Sequence, residues 1–236
     1  TNEAGAIYNT YLNSFKNEDG SVNWLPVCPD AHGLVVNRDL FVQYGIPLPT
    51  DYAGFVAACK AFEEVGIRGY TADYLYDYTC METLQGLSAG ELTTIAGRKW
   101  RTAYSDPANN TRVGLDDTVW PGGFERMEQF IQDTGLTAAD LELNYDDVVE
   151  MFGNGQLAMY FGSSAGVGMF QEQGIDATFL PIFSQNGEKW LMTTPYFQVA
   201  LNRDLEQDPT RREKAMQILH VMLSEGAQSQ ILAEGQ

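Results

Sequence analysis

LPVCPDAHGLVVNRDLFVQYGIPLPTD, residues Leu25 to Asp51, is the stretch on which the fold class turns. Leu34-Val35-Val36 is an apolar run of strand type, and it leads straight into Asn37, whose side chain suits the cap of a helix. In that helix Leu40, Phe41 and Tyr44 share one face, and Gly45 ends it. Pro47 and Pro49 stiffen the exit, while Thr50 or Asp51 is placed to cap the next helix, Tyr52 to Val65. Strand, short helix, rigid turn and longer helix follow one another without slack, the pattern of an α/β fold.

Downstream the alternation continues. Phe55, Val56, Cys59, Phe62 and Val65 form a buried stripe on the second helix, and Arg68 to Tyr74 reads as a strand. Leu84 to Ile95 is expected as one helix and Ser105 to Leu115 as a surface loop, in which Asn109-Asn110-Thr111 matches a glycosylation pattern only incidentally. Phe124, Met127, Phe130 and Ile131 share a helix face; Asn144 caps a helix carrying Val148, Val149 and Phe152. Leu157 to Phe161 is a buried strand, Gly162 to Gly166 a tight turn, and Val167 to Gln173 a helix. Strands at Ala177 to Ile182 and Phe197 to Leu201 precede final helices at Pro209 to Leu223 and Gly226 to Ala233. Before the opening stretch, Ala4 to Phe15 reads as a weak amphipathic helix, Asn17 to Gly20 as a turn, and Asn23 to Val27 as a strand that stops at Pro29.

Charge narrows the function. Lys and Arg number 14 against 32 Asp and Glu, a formal charge of -18 that would repel nucleic acid and anionic membranes. No apolar run is long enough to span a bilayer, and the first residues lack the charged and apolar regions of a signal peptide. Cys28, Cys59 and Cys80 cannot all pair; a Cys28–Cys80 disulfide stays open as an alternative in an oxidising compartment, and no zinc-type spacing is present. Neither a metal nor a cofactor is expected.

Three sets of residues bear on chemistry. Gly162-Ser163-Ser164-Ala165-Gly166 fits the G-x-S-x-G pattern between strand and helix, but the only later histidine, His220, lies inside a periodic helix. Without a base the serine is not activated, so no catalytic residue is expected and the turn offers backbone N–H groups to a ligand instead. Tyr74, Tyr76 and Tyr78, alternating with Asp73 and Asp77, share one face if the chain is extended, and aromatic faces beside carboxylates are how proteins hold sugars. Trp120, in an expected loop before Pro121-Gly122-Gly123, is a further candidate for stacking, and Cys28 with His32 is too sparse for a metal site.

The run Asn37-Arg38-Asp39-Leu40-Phe41 with Gly45-Ile46-Pro47-Leu48-Pro49-Thr50, the segment GNGQLAMYFGSS and the Ser224-Glu225-Gly226-Ala227 joint together resemble bacterial extracellular solute-binding proteins of the maltose-binding type. The chain departs from them in having Asp51 where many members have Trp after the Thr. It also has Ser164, Ala165 and Gly166 where sugar binders often carry Trp. The resemblance implies a class II periplasmic-binding-protein-like α/β fold of two lobes around a cleft, most of the first lobe being absent. Residues 1–29 would be the end of that lobe and a crossing strand, 30–189 the second lobe, and 190–236 a return segment of the first. It further implies a lipid-anchored, monomeric ABC-importer component outside the cytoplasmic membrane or in the periplasm, working with membrane subunits and binding a carbohydrate. Asp30 and His32 would lie at the first crossing and Tyr196 at the second. The full expected ligand set is Asp30, His32, Tyr76, Asp77, Tyr78, Trp120, Gly162, Ser163, Ser164 and Tyr196. Few cations near these carboxylates should disfavour phosphate and carboxylate ligands. The alternatives are an α/β-hydrolase using Ser164, a binder of cations such as polyamines, and an adhesion module without small-molecule affinity.

Overall fold

In the computed structural model, which describes residues 16–17, 19–108, 113–115 and 120–233, the chain divides into two compact units. Unit 1 comprises Thr1–Asp30 and Thr193–Gln236, and unit 2 comprises Ala31–Met192. The expected helix Ala4 to Phe15 and the Asn109-Asn110-Thr111 pattern lie outside the described residues.

Unit 2 is built on a sheet whose centre is the quoted stretch. Strand β1 (Leu25–Asn37) does not stop at Pro29 as expected but runs extended for 13 residues, because Pro tolerates extended backbone and the pairing beyond it is continuous. Asn37 ends it by accepting the Leu40 N–H at 3.3 Å, which starts helix α1 (Arg38–Tyr44). Gly45, with φ of 65°, closes α1 in the left-handed region. Asp51 accepts the Gly54 N–H at 2.8 Å and so caps α2 (Tyr52–Glu64). β2 (Arg68–Thr71) follows, shorter than expected, then α3 (Asp77–Leu87). Ser88 breaks the single helix expected over Leu84 to Ile95 into the end of α3, the short α4 (Ala89–Leu92) and α5 (Ile95–Ser105). Helix α6 (Trp120–Thr134) and a 3-10 turn (Ala138–Glu142) lead to α7 (Tyr145–Gly153), where Asn144 and Asp147 form a reciprocal cap. β3 (Leu157–Ser163), α8 (Ala165–Glu172), β4 (Ala177–Leu180) and the hairpin of β5 (Ile182–Phe183) and β6 (Lys189–Trp190) complete the unit.

The order of the sheet is β2-β3-β1-β4; β2 runs parallel to β3, and β1 runs antiparallel to both β3 and β4. Both faces are covered, so the strands are apolar on both sides. Leu34, Val36, Met159 and Phe161 point into one cluster with Phe41, Phe55, Phe62 and Phe130. Val35, Leu157 and Tyr160 point into the other with Val148, Phe152 and Phe170. Val65, expected in the buried stripe, is exposed because α2 ends at Glu64.

Unit 1 holds the early part of β1, most of β7 (Met192–Val199), a 3-10 turn (Arg203–Gln207), α9 (Pro209–Met222) and α10 (Glu225–Ala233). Asp208 caps α9 by accepting the Arg211 N–H, with Pro209 in the first turn, and Leu219 is buried. Cys28, Cys59 and Cys80 are all free thiols. Burial pushes the Cys59 thiol up to about 12, leaving an inert core residue.

Candidate ligand-binding site

A recess of about 120 Å³ opens within unit 2 where the end of β3 meets α3 and α7. Its position follows from local chemistry. After β2 the chain turns at Asp73, whose carbonyl accepts the Tyr76 N–H at 3.1 Å, and α3 begins at Asp77. Tyr76, at the cap position, makes no side-chain cap. Asp73 anchors the first turn instead, its carboxylate accepting the Thr79 hydroxyl at 2.9 Å and the Tyr78 hydroxyl at 3.2 Å. Four residues after Tyr78 on the same helix, Glu82 meets His32 of β1, with Nδ1 and Oε2 2.6 Å apart. Tyr145 from the first turn of α7 and Phe161 and Ser163 of β3 complete the lining, and Phe161 packs edge-on against the His32 ring at 6.2 Å.

Tyr160 forms part of the wall. Gly162 and Gly166 leave room for its ring: a Cβ at Gly162 would run into the ring carbons, and one at Gly166 would meet the phenol oxygen. The two glycines of the G-x-S-x-G pattern thus have a packing reason. Ser164 is tied to β1, its N–H donating to the Ala31 carbonyl at 2.8 Å and its Oγ accepting the Ala31 N–H at 3.4 Å. Ser163 Oγ accepts the Ala165 N–H at 3.1 Å at the start of α8. The expected Gly162 to Gly166 turn is corrected accordingly: Gly162 and Ser163 remain in β3, paired with Gly33 and His32.

The electrostatics are one-sided. Asp73 and Glu82 face the recess, His32 bridges to one of them, and among the described residues no lysine or arginine lines it. Burial raises the Asp73 carboxyl above the usual range; the Thr79 and Tyr78 hydroxyls pull it back, and Glu82 adds to the rise. Burial and the neighbouring Asp73 raise the Tyr78 phenol.

Of the expected ligand residues, the structure brings His32, Tyr78, Gly162 and Ser163 together around the recess, and sets Ser164 just behind it. The shared face expected for Tyr74, Tyr76 and Tyr78 does not form, because the strand ends at Thr71 and Tyr78 is already helical. Tyr74 turns into the core and shares a 2.8 Å hydrogen bond with Tyr70, while Tyr76 and Tyr78, 37% and 56% exposed, stack on each other at 5.5 Å and 10°. Asp77 is exposed in the first turn of α3, outside the recess lining. Trp120 is not in a loop: it opens α6 with Pro121 behind it and is 7% exposed among Leu84, Leu92 and Trp100, so it presents no face to a ligand. Asp30 lies on β1 in unit 1, buried in extended backbone and not in a turn, and the Tyr196 side chain falls outside the described residues. His220 is exposed on α9. Thr79, Glu82, Tyr145 and Tyr160 join the site unannounced by the sequence reading; the Tyr78-to-Glu82 spacing would have marked Glu82 had α3 been started at Asp77. Among the described residues no group of three or more His, Cys, Asp or Glu could hold a metal ion, and no helix is long and apolar enough to cross a membrane.

The two-sided α/β sheet thus carries an acidic, tyrosine-lined recess at a strand end. The chain belongs to the bacterial extracellular solute-binding protein family, whose model matches residues 1–234. Similar solved structures include a probable secreted solute-binding lipoprotein from Streptomyces coelicolor, 14% identical, with TM-score 0.74 over 96% of this chain and 56% of that one. A sugar transporter from Bacillus licheniformis in complex with stachyose is 16% identical, with TM-score 0.67 over 94% and 57%. A maltose-bound protein from T. maritima is 17% identical, with TM-score 0.68 over 96% and 56%. The fold is the periplasmic-binding-protein-like α/β fold, and the chain spans a little over half the length of these structures. A search of curated proteins by sequence found no match.

Proposed function

We propose that the chain is part of the solute-binding component of an ABC importer, acting as a lipid-anchored or periplasmic monomer that delivers a carbohydrate to membrane subunits. The observation that carries the sugar reading is the recess itself, where Tyr78, stacked on the exposed Tyr76, lines the wall with the carboxylates Asp73 and Glu82. Flat aromatic surface packs on sugar C–H faces while carboxylates accept hydroxyl hydrogens. Structural neighbours described as bound to stachyose or maltose support a short oligosaccharide. In this reading residues 31–192 are the second lobe, and 1–30 with 193–236 belong to the first, β1 and β7 being the crossing strands.

Truncating Tyr78 to alanine is expected to weaken saccharide binding about 10- to 100-fold, roughly 1–3 kcal/mol, as other aromatic anchors do. Calorimetry on the full-length protein at two salt concentrations measures this, and sugar binding should be nearly independent of salt. Affinity for polyamines alone, falling steeply with salt, would replace the sugar by a cation.

A second reading rests on Ser163, which stands opposite His32 in the β1–β3 ladder, while the His32 imidazole meets Glu82. Those three residue types are the ones a nucleophile, base and acid would need. A serine-directed fluorophosphonate is expected to leave Ser163 and Ser164 unlabelled in intact-mass measurements, in keeping with a binding family; stoichiometric labelling of Ser163 would make the protein a hydrolase.

A further inference from the structure

We infer that Asp73 and Glu82 act as an anion screen, so that the recess accepts neutral saccharides and rejects the same saccharides carrying a carboxylate. This inference rests on the saccharide reading and specifies which members of that class enter. The two carboxylates come from different elements, the turn after β2 and the middle of α3, yet line one recess. Glu82 has His32 at 2.6 Å. Asp73 is 8% exposed, and its partners are the neutral hydroxyls of Tyr78 and Thr79. Even with His32 protonated, the balance of these three groups is one negative charge. Three arginines of the unit pair with other carboxylates: Arg38 with Asp176, Arg68 with Asp140, and Arg126 with Glu91. A uronate brought into this volume adds like charge, and among the described residues no arginine lines the recess to receive it.

Asp73 is the stronger half of the screen. Its folded carboxyl titrates above the ordinary value because burial disfavours the ion. The folded state therefore binds the proton more tightly than the unfolded chain, and stability declines as pH rises through that interval. At neutral pH the ion accepts the Thr79 and Tyr78 hydroxyls, and Asn removes the charge while keeping one oxygen to accept from them.

The test is calorimetry on the full-length protein with maltotriose, mannotriose and raffinose, each paired with a counterpart oxidised to a carboxylate at one C6. For any neutral sugar that binds, the oxidised counterpart should bind roughly 10- to 100-fold more weakly. Asp73→Asn should shrink that ratio about tenfold, and Glu82→Gln should shrink it less because His32 already offsets Glu82. Equal affinity for a sugar and its uronate, or a ratio untouched in both variants, would overturn the screen while leaving the saccharide reading intact. Binding of neither kind of sugar would overturn that reading and the screen with it.

Discussion

Replacing Asp140 with alanine is expected to cost about 3–5 kcal/mol of folding stability, read as a lower urea midpoint with an unchanged slope. Asp140 is buried in the 3-10 turn after α6, where its carboxylate collects donors from three places. Arg68 Nη2 donates to both oxygens, at 2.9 and 3.0 Å, and the Thr71 hydroxyl donates at 2.7 Å, so two residues of β2 are fastened to it. The Thr137 N–H donates at 2.7 Å and its hydroxyl at 3.1 Å, closing the cap of the turn. The magnitude comes less from the value of the pair than from what its loss leaves behind. Arg68 keeps a largely buried charge with only the Gly135 carbonyl and a longer contact to Glu63, and the Thr71 hydroxyl, on a fully buried residue, loses its acceptor. Replacing both partners with apolar residues, Arg68→Met with Asp140→Leu, should recover much of the loss, since the desolvation penalty then disappears with the charges. A single-variant loss below about 1 kcal/mol would mean that β2 is held by its strand pairing alone.

Where a signal is local, the sequence was readable to the residue. Asn37 and Asn144 cap the helices assigned to them, and Asp51 is one of the two caps expected for α2, because a side chain three residues before an N–H suffices for the job. The apolar run Leu34, Val35 and Val36 likewise placed a strand, and the structure covers both of its faces. The tyrosine segment was misread for a physical reason: α3 starts at a residue whose side chain makes no cap. The substitute anchor, Asp73 through Tyr78 and Thr79, uses side-chain hydrogen bonds that no spacing rule announces. Trp120 was legible in principle, since a proline directly after it is a good first-turn residue and the helix begins there. The His32–Glu82 contact joins residues 50 apart in sequence and exists only once the sheet and α3 have met. His32, Tyr78, Gly162 and Ser163 gather at the recess through contacts of this tertiary kind, whereas Asp77 and Trp120 are set elsewhere by where their helices start.

Truncating Phe152 to alanine is the other substitution expected to remove about 3–5 kcal/mol, and it should reach the ligand without touching it. Phe152 is fully buried on α7, tilted against Phe170 at 4.4 Å and edge-on to Tyr160 at 5.2 Å. Tyr160 faces two ways, lining the recess on one side and resting on Phe152 on the other, with the missing side chains of Gly162 and Gly166 making room for the ring. A cavity behind it lets the ring tilt back, because a packed neighbour is all that fixes an aromatic torsion there. Saccharide affinity should then fall by roughly threefold to tenfold, an aromatic contact loosened but not deleted. Phe152→Leu, which fills most of the volume, should lose less on both measures. Denaturant melts and calorimetry on the same preparations separate the two effects. Full affinity in a strongly destabilised Phe152→Ala protein would show that Tyr160 is held in place from the sheet side, by β3 itself, and that the helix layer beneath it contributes stability alone.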